Sequence, residues 1–148
     1  MCLTTKKCVP SVAKKDTVVY KVIAIDNNFC GKGVTRMVAP IIGMQCYNFN
    51  ITYHEIWFND WDHYAVTVKR FAQTKKGYRA VEWQVKYGYH AFRTKKSACA
   101  FMEKLTADFD YRRHFSVVRC VIPADSQYFN GENNEICSNQ IMLEKIVA

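Results

Sequence analysis

At 148 residues, with 49% apolar and 14% aromatic content, the chain has the size and composition of one folded domain, which excludes a disordered polypeptide. No apolar run approaches the roughly 18 residues that span a bilayer, and Met1 to Lys15 carries Lys6, Lys7, Lys14 and Lys15 with no apolar stretch between them, so neither a membrane span nor a secretory signal is expected. The formal charge is +8, and residues 69–96 account for all of it, with nine basic side chains against Glu82 alone.

Seven cysteines, at positions 2, 8, 30, 46, 99, 120 and 137, make an odd count with no C-x-x-C pair. That pattern predicts free thiols in a reducing compartment, hence the cytoplasm, and lacks the spacing of structural zinc or thioredoxin-type sites. Neither a metal nor a cofactor is expected.

In chain order, residues 1–15 read as an irregular lead-in to a single domain, 1–148. Thr17 to Ile25 (TVVYKVIAI) is nearly continuous and β-branched, as a strand buried on both faces would be. Asp26-Asn27-Asn28 ends it with turn chemistry, and Gly31 to Gly43 reads as a loop. Gln45 to Tyr53 alternates, with Tyr47, Phe49, Ile51 and Tyr53 on one side, and reads as a half-buried strand. The segment 59–64 (NDWDHY) interrupts that pattern.

Tyr64 to Ala72 and Arg79 to Tyr87 flank the turn Gln73 to Gly77, which predicts an antiparallel hairpin with a basic tip at Lys75 and Lys76. In its second arm Val81, Trp83, Val85 and Tyr87 share a face. Gly88 permits a kink before Tyr89 to Phe92. Thr94 is placed to cap a helix over about Lys95 to Asp108, where Ala98, Phe101, Met102, Leu105 and Phe109 form one apolar stripe. Phe115 to Ile122 reads as a strand, the Asp-, Ser-, Asn- and Gly-rich stretch after Pro123 as a loop, and Ile136 to Val147 as the last strand. The order of elements predicts an α+β fold: a mostly antiparallel sheet with a basic hairpin and one main helix packed on one face.

The hairpin region is the leading binding candidate. Clustered Lys and Arg release counterions from phosphates, and interleaved aromatics (Phe71, Tyr78, Trp83, Tyr87, Tyr89 and Phe92) offer stacking surfaces. The candidate contacts are Lys69, Arg70, Lys75, Lys76, Arg79, Lys95 and Lys96. A solvated hairpin with its aromatic side on the core fits the same alternation, and no signature of a named nucleic-acid module is present. His54, His63, His90 and His114 show no metal spacing; Asp60, Asp62 and His63 read as ordinary loop chemistry. His90 follows a permitted kink at a strand end, and Glu132 and Glu135 precede the final strand, where an acid would serve as a base or hold a ribose hydroxyl. Each also fits an ordinary structural role. Gly31-Lys32-Gly33 is too short for a phosphate loop.

The opening MCL, the strand VVYKVI, the segment YGYHAF with its alanine-bearing helix, and then VVRCVIP, QYFNG and SNQIMLEKIV resemble small accessory proteins of tailed phages of gut bacteria, related prophages and their hosts. The resemblance covers both ends and the C-terminal half, leaving residues 26–75 outside it. It implies a phage-type accessory protein of the host cytoplasm, not a reaction. A weaker similarity is to the ADP-ribosyltransferase fold, where Gly88 to Phe92, Ala98 and Glu135 would occupy the places of that fold's strand, helix start and late glutamate. It departs at Tyr20 and Lys21, where that family carries Arg or His, and it has no S-x-S or Q-x-E motif.

The expected function is therefore that of a non-enzymatic binding protein whose basic hairpin contacts an anionic partner: nucleic acid, a nucleotide or an acidic host protein surface. The rival expectation is a transferase-like enzyme using His90 and Glu135 on nicotinamide dinucleotide. A third is a minor virion component.

Overall fold

The computed structural model describes residues 3–26, 36–38, 46–48, 54–57, 66–85, 88–108 and 114–148. In chain order its elements are β1 (Leu3–Thr5), β2 (Ser11–Val12), β3 (Thr17–Asp26), β4 (Arg36–Val38), β5 (Cys46–Asn48), β6 (His54–Trp57), β7 (Val66–Thr74), β8 (Gly77–Val85), β9 (Tyr89–Phe92), α1 (Lys95–Asp108), β10 (His114–Ile122), β11 (Gln127–Asn130), β12 (Glu135–Ser138) and β13 (Gln140–Ile146). The fold is α+β and dominated by antiparallel sheet, as the periodicity predicts. One sheet runs β2-β11-β12-β9-β3-β10-β13-β6, with β4 on β3 and β5 on β4; a smaller sheet runs β1-β8-β7. No helix among the described residues is long and apolar enough to cross a membrane.

Four expectations change. The lead-in contains two short strands, β1 and β2, and the segment read as a loop, Gly31 to Gly43, contains β4. The loop after Pro123 contains β11, joined to β12 by a tight turn in which Asn133 and Asn134 both have positive φ (54° and 62°). Two successive residues of that kind make the turn whose twist matches a hairpin, and Asn tolerates it well. The hairpin turn is shorter than expected, Lys75-Lys76 alone, with Gly77 at φ 114° closing it. Within Gln45 to Tyr53 only β5 falls among the described residues; Asp60, Asp62, His63 and Tyr87 lie outside them.

The last strand is bent. Asn139 alone separates β12 from β13, and the halves pair with different neighbours: β12 with β9, and β13 with β10. Since β9 and β10 both flank β3, the path β12-β9-β3-β10-β13 begins and ends on the two halves of one bent segment, a ring closed through the chain at Asn139 and not by strand pairing. The corner is polar but satisfied. Gln127 N donates to Asn139 Oδ1 (2.9 Å), Asn139 N donates to Gln127 O (3.0 Å), and Ser126 Oγ donates to Gln140 Oε1 (3.0 Å). Buried polar groups persist only when paired in this way.

One face of the ring strands packs into a single apolar cluster of Val19, Ile23, Tyr89, Ala91, Val118, Cys120, Ile136, Ile141 and Leu143. The other face carries Val22, Phe92 and Val117, which meet Ala98 and Leu105 of α1. Thr94 caps that helix as expected, its Oγ1 accepting from Ser97 N at 3.2 Å. The small sheet is joined to the large one where Leu3 and Val85 pack on Phe129 and Cys137.

Candidate functional site

The hairpin β7–β8 is supported along only part of its length. β1 pairs with Trp83, Gln84 and Val85, so from Glu82 outward the hairpin is a two-stranded arm among the described residues. Register shifts around Arg70 add twist at the point where the arm leaves the sheet. Cross-strand partners assign the faces. Phe71 opposes Ala80 and Gln73 opposes Tyr78, which puts Phe71, Gln73, Tyr78 and Ala80 on one side, while Ala72 and Arg79 share the other. Phe71 is 59% exposed and Tyr78 77% exposed.

The cations of the arm divide into two groups. Lys69 Nζ donates to Thr4 Oγ1 (2.7 Å) and Arg70 pairs with Glu82 (3.4 Å), so both serve partly to anchor the arm's base. Lys75, Lys76 and Arg79 are exposed, and none pairs with a carboxylate among the described residues. Of the aromatics proposed to interleave the basic cluster, Trp83 is half-buried while Tyr89 and Phe92 belong to the cores, so among the described residues only Phe71 and Tyr78 remain available on the arm. Lys95 and Lys96 are exposed on a different element, the first turn of α1, which packs on β3, β9 and β10.

His90 and Glu135 lie on neighbouring strands. Glu135 opposes Phe92 and Cys137 opposes His90, which makes the two residues diagonal neighbours on one sheet face. Burial, and then the nearby Glu132, push the Glu135 carboxyl above the usual carboxylate range. Two grooves run along β11. One is bordered by Thr4, Lys6, Lys7, Phe129 and Glu132, the other by Lys14, Lys15, Arg93 and Tyr128, and neither has His90 or Glu135 in its lining.

Sequence reasoning marked Lys21 only as a departure from a family pattern and did not place it in the core. It alternates with Val19 and Ile23 on the ring's apolar face and is only 5% exposed. Its Nζ donates to His90 O at 2.8 Å, and burial pulls its pKa down to about 8 against the opposing influence of the Cys120 and Cys137 thiols. A lysine inside an otherwise β-branched run (TVVYKVIAI) was the available signal. Equally invisible was the meeting of Lys14 and Lys15 with Arg93, since no sequence window spans them. No protein-family model matches this chain, and no curated protein or solved structure is significantly similar to it.

Proposed function

We propose that the protein is a non-enzymatic nucleic-acid-binding accessory protein that grips a duplex with the β7–β8 arm. The observation that carries this reading is the arm itself: two strands with no third beside them among the described residues, tipped by Lys75 and Lys76, with Arg79 on one side and exposed Phe71 and Tyr78 on the other. A two-stranded β-ribbon has the dimensions that a major groove admits, and cations at its tip and side neutralise flanking phosphates. Large apolar side chains held in water on a projecting element favour a partner that covers them. The resemblance to phage accessory proteins supports a partner inside the host cell.

The test is fluorescence anisotropy with a labelled duplex over a range of salt concentrations. Replacing Lys75, Lys76 and Arg79 together by Glu is expected to weaken binding and to lower the steepness of its salt dependence by about one unit per lost phosphate contact. Equal affinity and equal salt slope in the triple variant would overturn the proposal. Retention of an acidic host protein by the wild-type arm, with no duplex binding, would transfer the same surface to a protein partner and likewise refute the nucleic-acid reading.

A further inference from the structure

Lys14 and Lys15, in the turn between β2 and β3, and Arg93, between β9 and α1, rim one groove of about 230 Å³. Its walls are apolar and aromatic, with Ile122, Ile136 and Tyr128 among the lining residues, and no carboxylate is among them. Asp16, next to Lys15 in sequence, is engaged elsewhere: its Oδ1 accepts from Ala124 N at 2.9 Å.

Arg93 is held ready. Its Nε and Nη2 both donate to Asn130 Oδ1, at 3.1 and 2.6 Å. Its guanidinium lies 5.7 Å from the centre of the Tyr128 ring, and its backbone N donates to Asn134 O at 2.8 Å. No carboxylate among the described residues neutralises it. Three cations around an apolar groove repel one another until an anion enters, and a preset guanidinium loses little freedom on gripping a phosphate. A purely polar ion would leave the apolar walls unused. The groove is also smaller than the roughly 300 Å³ at which sites for drug-sized ligands begin, so it is too small to enclose a dinucleotide.

We propose that this groove binds a nucleoside monophosphate unit, with the phosphate among Lys14, Lys15 and Arg93 and the base against the Tyr128 wall. The unit is either a free nucleotide or the 5′-phosphorylated end of a strand. The site shares no residue with the arm and does not depend on the duplex-binding reading.

The experiment is an NMR titration of the full chain, following the backbone amides of Ala13, Tyr128 and Ile136. The probes are AMP, adenosine, inorganic phosphate, and a short oligonucleotide with and without its 5′-phosphate. They are applied to the wild type, to Lys14→Glu/Lys15→Glu, to Arg93→Gln and to Lys75→Glu/Lys76→Glu. Lys14 and Lys15 are exposed, so their variant is expected to keep the wild-type melting temperature. AMP is expected to bind the wild type and the arm variant equally and to bind each groove variant about tenfold or more weakly, the loss of one charge-assisted contact. A phosphorylated oligonucleotide binding more tightly than AMP assigns the groove to strand ends; AMP binding at least as tightly assigns it to free nucleotide. The proposal falls if millimolar AMP and phosphorylated oligonucleotide leave the wild-type spectrum unchanged. It falls equally if phosphate alone binds as well as AMP, or if the groove variants bind AMP as the wild type does.

Discussion

Lys21 shows how much one side chain weighs in a fold of this size. Its ammonium sits among apolar residues and donates to the His90 carbonyl, and burial lowers its pKa from 10.5 to about 8. Below pH 8 the lysine is protonated in both folded and unfolded chains, and the folded state bears the full burial penalty. Between pH 8 and 10.5 the unfolded chain keeps a proton that the folded chain releases, so stability rises with pH across that window. The size of the shift corresponds to about 3 kcal/mol. Lys21→Met keeps the length of the side chain and removes the charge, a change that is often stabilising at buried ionic positions. The variant is expected to melt several degrees above the wild type at pH 7, with the gap closing as pH rises from 8 toward 10.5. Thermal melts of both proteins across that range check it, and a gap independent of pH would contradict the account.

At the scale of elements, the arm and the ring have opposite relations to the core. Strands β3 and β10 pair along nine residues and are covered on one face by α1, whereas the two strands of the arm beyond Glu82 pair only with each other among the described residues. Two-stranded ribbons are marginal alone in water, and local opening follows the density of buried contacts. Amide hydrogen exchange is therefore expected to be slowest in Val18 to Ile23 and Val117 to Ile122 and fastest in Phe71 to Arg79. Replacing Phe71 and Tyr78 by Ser is expected to leave the melting temperature within about 2 °C of wild type, because neither side chain packs on a cluster. The same pair of changes is expected to weaken duplex binding at high salt, where the electrostatic contribution fades and apolar contact dominates. A melting temperature lowered well beyond that range would show that the arm's aromatics are structural.

For the molecule as a whole, the packing of the sheets decides which of the four described thiols meet solvent: Cys120 lies on the ring's apolar face and Cys137 where the small sheet packs on the large one. Cys120 and Cys137 are both fully buried, and burial pushes the Cys120 thiol up to about 12 and Cys137 higher still. Cys8 is exposed and Cys99 half-buried. Since the thiolate is the reactive form, a water-soluble disulfide reagent is expected to modify Cys8 before Cys99, with Cys120 and Cys137 reacting only at the rate of unfolding. Peptide mass spectrometry after timed labelling checks the order. Fast modification of Cys120 in the native protein would show that the ring opens.

The sequence by itself determined the α+β class, the helix at Lys95–Asp108 with its Thr94 cap, and the basic hairpin, because period-2 and period-3.6 patterns and turn residues act over a few positions. It also placed Lys75, Lys76 and Arg79 on that hairpin, because their neighbours in the chain are their neighbours in space. The Asn133-Asn134 turn was legible in principle, since paired Asn residues tolerate positive φ. Only the tertiary structure decided that Glu135 to Ile146 bends at Asn139 to close a ring, that Lys21 lies inside it, and that Lys14 and Lys15 share a groove with Arg93. Each of those depends on which distant strands pair and in what register, a choice made by burial across the whole sheet and not by any local stretch of side chains.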